Sequence, residues 1–283
     1  MRIPVLFLIF TGLVCAADNA VDRARDLYNH LEYKEAVAIL MREPVTPQSL
    51  ELLGQTYLAL TEYKKATDTL EKAVALAPND SMIRTWLGRA WGRRAETSFP
   101  LTAMGYASKS RDAFEKAIQL DPANAEAMND LFDFYIEAPA MVGGGHDKAR
   151  KLISSLSKCD PDAVYFAEAR LAEEQKQYDL AEAHLRQAIL SVPGKVGQVL
   201  NLARFLARRQ RYEESDQIFA NAEKIAPNSP RVMYAKAETF IRAHRHEEEA
   251  RELLIRYLSA KNLTPDDPPR SQALELLKQA EGA

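Results

Sequence analysis

The chain has 283 residues, 47% of them hydrophobic, with 37 basic side chains against 40 acidic ones and a net charge of −3. That balance excludes the basic excess on which nucleic-acid binding rests, and a chain of this length can bury a core without cross-links. Two cysteines and 11 glycines, set among abundant Ala, Leu, Glu, Lys and Arg, mark helical material.

Residues 1–17, "MRIPVLFLIFTGLVCAA", have the order of a secretory leader: Arg2, an apolar run from Ile3 to Val14, then the small residues Ala16 and Ala17. The run is about a dozen residues, short of the roughly 20 that span a bilayer. Cleavage is expected after Ala16 or Ala17, giving an exported protein, periplasmic or secreted. An uncleaved anchor is one alternative. Lipidation of Cys15 is another, against which the bulk of Val14 counts. Processing would remove Arg2 and Cys15 and leave Cys159 with no partner for an internal disulfide.

From residue 18 onward the chain repeats itself. Ala24, Leu27, Ala36 and Leu40 form a faint first copy. "SLELLGQTYLALTEYKKATDTLEKAVALAPND" is the clearest, with Leu53-Gly54, Tyr57, Ala66, Leu70, Ala73 and Pro78. Leu87-Gly88, Trp91, Phe114, Ala117 and Pro122 follow, then Ile153, Leu156 and Pro161. Ala169, Ala181, Leu185, Ala188 and Pro193 come next, then Ala203, Phe219, Ala222 and Pro227, and lastly Ala237, Phe240, Ala250 and Leu254. The unit-ending prolines Pro78, Pro122, Pro161, Pro193 and Pro227 lie 44, 39, 32 and 34 residues apart. Each stops a helix, and Asn79 or Asp80 is placed to cap the next one.

This pattern resembles the tetratricopeptide repeat over nearly all of residues 18–263. The resemblance implies an all-α, right-handed solenoid of about six to seven helix–turn–helix units. In each unit small residues such as Gly54, Ala66 and Ala73 sit where helices cross, and Leu53, Tyr57 and Leu70 fill the space between. The proline-rich break "NLTPDDPPR" then opens a tail, residues 264–283, read as a capping helix with Asp267 at its cap and an apolar stripe of Leu274, Leu277 and Ala280.

Two long steps mark insertions near 92–108 and 138–146. Both fall between the helices of a unit, so they are expected as neighbouring long turns whose apolar tips pack together: Phe99, Leu101, Met104 and Tyr106 against Met141 and Val142. The second holds "GGGHDK", Gly143 to Lys148. A phosphate-binding loop needs a strand before it and Ser or Thr after the lysine. Ala149 stands there, so the glycines are read as a turn that admits positive φ. An anion at a bare helix N-terminus is the lesser reading.

Other chemistry is thin. "AHRHEEEA" lacks a histidine four residues after His246, where Ala250 stands, so no zinc-protease helix is present. His30 and His184 stand apart. Cys159 has no paired histidine.

The resemblance places the first helix of each unit along a concave groove. Arg25, Arg89, Arg170 and Arg204 project there at equivalent sites, with Arg93, Arg208 and Arg242 one turn further. Tyr28, Asn129, Phe166 and Tyr234 add aromatic or amide contacts. Guanidinium groups grip carboxylates with paired hydrogen bonds, which suits an extended, acidic peptide. Asp133, Glu137, Glu173, Glu174 and Glu238 project nearby and could neutralise the arginines. The lysine and asparagine clamp of chaperone-tail-binding family members is unmatched, because Glu51, Gln55 and Asp130 occupy such sites. The expectation is a non-enzymatic scaffold that binds a protein or peptide in this groove, with the insertion edge as a second surface and no metal, cofactor or nucleic acid. An enzyme or ligand-binding protein using the glycine turn, and a self-assembling structural protein, are the alternatives.

Overall fold

A computed structural model describes the backbone of residues 10–281, with side chains from Ala20 onward. Among the described residues it holds fifteen α-helices, one short 3-10 turn and no strand. Of the leader expected at residues 1–17, residues 1–9 lie outside the described residues and 10–17 form the start of the first helix. The chain divides after Gly145 into two compact units.

The first unit contains α1 (Phe10–Asn29), α2 (Tyr33–Leu40), α3 (Pro47–Ala59), α4 (Tyr63–Leu76), α5 (Ser81–Glu96), α6 (Pro100–Leu120) and α7 (Ala125–Glu137), followed by the 3-10 turn Ala140–Val142. The second contains α8 (His146–Cys159), α9 (Pro161–Glu174), α10 (Tyr178–Ser191), α11 (Val196–Arg208), α12 (Tyr212–Ile225), α13 (Pro230–Arg242), α14 (Glu247–Ser259) and α15 (Arg270–Glu281). Within each unit consecutive helices pack as hairpins, and α1, α3, α5 and α7, or α11, α13 and α15, also touch in series. This is the order of a stacked helical solenoid.

Small residues set the crossings. A Cβ on Gly54 would lie 2.4 Å from Leu70 Cγ, and one on Gly88 2.5 Å from Phe114 Cε1. Ala24, Ala36, Ala66, Ala73, Ala117, Ala181, Ala188, Ala203, Ala222, Ala237 and Ala250 are fully buried. Four helix starts are capped by side chains. Thr46 accepts from Ser49 N, Asp80 from Ile83 N, Asn124 from Ala127 N and Asp160 from Ala163 N, each satisfying an otherwise orphaned N–H.

The turns inside the hairpins use the main chain instead. Leu31, Thr61, Lys176, Gln210 and His244 all have φ between 50° and 63°. The residue after each donates its N–H to a carbonyl five residues back: Glu32 to Leu27 at 2.8 Å, Glu62 to Tyr57 at 2.9 Å, Gln177 to Ala172 at 2.8 Å, Arg211 to Leu206 at 3.0 Å and Arg245 to Phe240 at 3.0 Å. This is the Schellman closure, made here without glycine.

The first insertion is not a long turn. Its residues lengthen both helices, so α6 has 21 residues where α4 has 14 and its end projects by roughly 10 Å at 1.5 Å per residue. A buried hydroxyl locates the extra chain. Ser110 Oγ donates to Gly88 O at 2.8 Å across a separation of 22 residues, and Ser215 Oγ donates to Ala203 O at 2.8 Å across 12. The ten additional residues therefore lie beyond the crossing point. Nothing between Thr97 and Phe99 forces a loop, and Pro100 restarts the helix at its first position.

The tips expected to pack together do not. Phe99 is 87% exposed, Leu101 84% and Met141 78%, whereas Val142 is buried. The 3-10 turn meets α6 at its middle, where Arg111 Nη1 donates to Val142 O at 2.8 Å. The glycines close the end of α7. Gly145 N donates to Tyr135 O at 2.8 Å and Gly144 N to Pro139 O at 3.2 Å. Gly143 has φ 99° and Gly145 φ 148°, and a Cβ on Gly144 would stand 1.8 Å from Ala138 O.

The tail is helical from Arg270. Asp267 does not cap it; its carboxylate instead accepts from Thr264 N at 2.9 Å and Thr264 Oγ1 at 3.1 Å. The buried side is Ala273 and Ala280, with Leu276 and Leu277 partly covered, while Leu274 faces solvent. Tyr257, itself buried, donates its hydroxyl to Pro268 O, and Arg251 Nη1 donates to Ala280 O at 2.8 Å.

Candidate binding face

Four of the arginines singled out in the sequence come together in the second unit. Arg170 on α9, Arg204 and Arg208 on α11 and Arg242 on α13 line one open face. Two shallow hollows share Arg204 and Arg208. One reaches Phe166, Arg170 and Asn201, and the other reaches Tyr212, Thr239 and Arg242. Asn201 lies three residues before Arg204, so helical spacing puts both on one side of α11.

Acids interleave with these arginines. Arg208 grips Glu173 with two bonds, Nε–Oε1 at 2.9 Å and Nη2–Oε2 at 2.7 Å. Glu238 is shared: Oε1 accepts from Arg242 Nη2 at 2.8 Å, and Oε2 from Arg204 Nη2 at a longer 3.3 Å. Arg204 is incompletely satisfied, because its buried Nε has no hydrogen-bond partner. Burial pushes the Arg204 guanidinium below the usual arginine range; Glu238 opposes this, and the charges of Arg231, Arg208 and Arg242 add to it. A half-buried guanidinium with an unfilled donor among other guanidiniums is an incomplete anion site.

The first unit's face has the opposite character. Arg89 is consumed: Nε donates to Asp130 at 2.6 Å, Nη2 to Glu126 at 2.9 Å, and the guanidinium lies 4.5 Å over the Trp86 ring. Burial pushes Asp130 up against the pull of Arg89, and burial with Asp80 pushes Glu51 up against the pull of Arg25. Arg93 pairs with Glu96 on its own helix, and Asn129 is half-buried.

Three aromatic assignments change. Tyr234, expected in the groove, is buried with its ring 5.3 Å from that of Tyr257. Tyr28 packs on Tyr33 with ring centroids 5.4 Å apart, among the apolar contacts of the first hairpin. Tyr106, expected at a tip, stacks on Trp91 at 5.1 Å. Phe166, of the expected groove aromatics, lines a hollow. Trp86, whose face holds Arg89, was not singled out; helical spacing of three before Arg89 is the signal that points to it.

No metal-binding group of three or more His, Cys, Asp or Glu side chains occurs among the described residues. Nor is any described helix long and apolar enough to cross a membrane.

Stacked helical hairpins that expose a polar face define a repeat protein built around a surface. Residues 47–80 and 172–239 match models of the tetratricopeptide repeat, and the helical solenoid around them has the fold of tetratricopeptide-repeat proteins. The fold is similar to a tetratricopeptide repeat protein from Parabacteroides merdae, with 12% identity over 94% of this chain and 98% of that one and a TM-score of 0.62. It is also similar to a thermophilic tetratricopeptide-repeat protein of Thermus thermophilus, with 20% identity over 70% of this chain and 98% of that one and a TM-score of 0.54. No curated protein matches the sequence.

Proposed function

We propose that this chain is an exported scaffold that holds an acidic peptide segment of another protein on the arginine-lined face of its second unit, and that it catalyses no reaction. The family is one of interaction scaffolds, which supports binding as the general mode of action. The loosely held Arg204 guanidinium carries the finer reading, since its Nη2 reaches Glu238 only at 3.3 Å. A peptide carboxylate entering between the two hollows would replace that long bond. The acids on this face argue for an extended ligand that alternates carboxylates with neutral positions, so that Glu173 and Glu238 are not confronted.

Calorimetric titration of the chain with extended peptides of graded Asp and Glu content tests this. Acidic peptides are expected to bind, and Arg204→Ala to weaken them tenfold or more, since truncating one partner of a charged, part-buried pair costs about 2 kcal/mol or above. Equal binding of acidic and neutral peptides, or an unchanged affinity in Arg204→Ala, would remove the acidic-ligand reading.

A further inference from the structure

We propose that the projecting end of the α5–α6 hairpin is a wedge that enters the surface of an anionic lipid bilayer. This inference is independent of the arginine-lined face.

The end is apolar and uncovered. Phe99 and Leu101 are 87% and 84% exposed, and Met104 is partly exposed beside them. Between Thr97 and Ser108 the sequence "TSFPLTAMGYAS" has no acidic or basic residue. Exposed apolar side chains at a protruding point cannot be covered by their own unit, so they await a deformable medium or a concave partner.

The Ser and Thr hydroxyls of the end are already satisfied. Thr97 Oγ1 donates to Arg93 O at 3.1 Å and Ser98 Oγ to Arg94 O at 2.6 Å. Thr102 Oγ1 donates to Phe99 O at 2.9 Å and Ser108 Oγ to Met104 O at 3.0 Å. Internally bonded hydroxyls lower the cost of desolvating the end, a condition that lipid imposes and water does not.

Behind the apolar end lie basic groups packed on aromatic rings, of which Trp91 is buried in the core. Tyr106 stacks on Trp91 at 5.1 Å, Arg94 lies over both rings at 4.4 and 5.0 Å, and Lys109 lies 4.0 Å over Trp91. Arg93 is half-exposed on the same stretch, and Glu96, the acid next to the tip in sequence, is held by it. The basic groups sit on the order of 10 Å behind Phe99 at 1.5 Å per residue. Wedge depth into the headgroup boundary is about 5–10 Å, so the collar would meet lipid phosphates as the wedge enters. A neutral or acidic collar would favour a protein pocket instead; the charge complementarity here selects an anionic surface.

Phe99→Trp in the full chain gives the test, with wild type as the baseline for the native tryptophans. Vesicles of phosphatidylcholine with phosphatidylglycerol, and vesicles of phosphatidylcholine alone, are added, with brominated phosphatidylcholine as quencher. The emission of the introduced indole should shift to the blue and be quenched on anionic vesicles, and Arg93→Ala with Lys109→Ala should reduce that partitioning fivefold or more. Because the probe reads its own surroundings, a chain tethered only by its apolar N-terminus would sediment with vesicles without this shift. Unchanged emission, equal response to both vesicle types, or a blue shift that appears without lipid together with a doubling of mass would overturn the proposal, the last by showing that a second copy covers the end.

Discussion

At Gly144 there is no room for a side chain, because the Cβ direction points into Ala138 O at 1.8 Å. Main chain cannot step aside as a flexible side chain can, so Gly144→Ala should destabilise by about 1–3 kcal/mol, the range for forced overpacking. Gly105, inside α6, has nothing within 4 Å of its Cβ direction. Gly105→Ala should therefore stabilise by roughly 0.5–1 kcal/mol, the helix preference for alanine. Denaturant titration of the two variants checks both signs, and a neutral Gly144→Ala would mean that α7 does not end in this closure. The glycine run was legible as a turn because no strand preceded it and Ala149 followed Lys148. That the middle glycine is the one crowded by main chain was not legible, since it depends on where Ala138 O happens to point.

Between elements, Lys236 ties three helices. Its ammonium on α13 pairs with Glu223 of α12 at 2.9 Å and Glu249 of α14 at 2.7 Å. Burial pulls the Lys236 ammonium down, and its bonds to Glu249 and Glu223 outweigh that, so the net shift is upward from 10.5. A raised native pKa means that its stabilising contribution is complete below pH 10.5 and fades as the pH climbs through the shifted value. Lys236→Met should cost about 1.5–3 kcal/mol at neutral pH, the range for hydrogen bonds to charged groups, and should flatten the alkaline fall in Tm. An alkaline limb identical to that of wild type would show that other groups control it. The hairpins themselves were readable from Ala66, Leu70 and Pro78. The fate of the first insertion was not: Ala95 to Ser98 carries neither Gly nor Pro, so only packing at Trp91 and Tyr106 turns an apparent loop into added helix. The inward turn of Tyr234 escaped for a related reason, because a small rotation of α13 decides between groove and core.

Across the whole molecule, the two units present faces of different sign, acid-leaning around Glu51 and Asp130 and arginine-rich around Arg204. The placement of this protein outside the cytoplasm remains our proposal, and it has a direct check. The chain recovered from its producing cells should begin at Ala17 or Asp18, as end-group sequencing or intact mass would show. A chain that retains Met1 would point to the anchored alternative. Cleavage after Ala17 keeps α1 from Asp18 to Asn29, with Ala20 and Ala24 still buried against the first hairpin. The commonest bend in the molecule, meanwhile, is drawn by peptide groups and borrows nothing from the residue at its crest. Lys176 is thus a blank space in an otherwise dense text, where a dye, an affinity handle or a cross-linker could be written without disturbing the lines on either side.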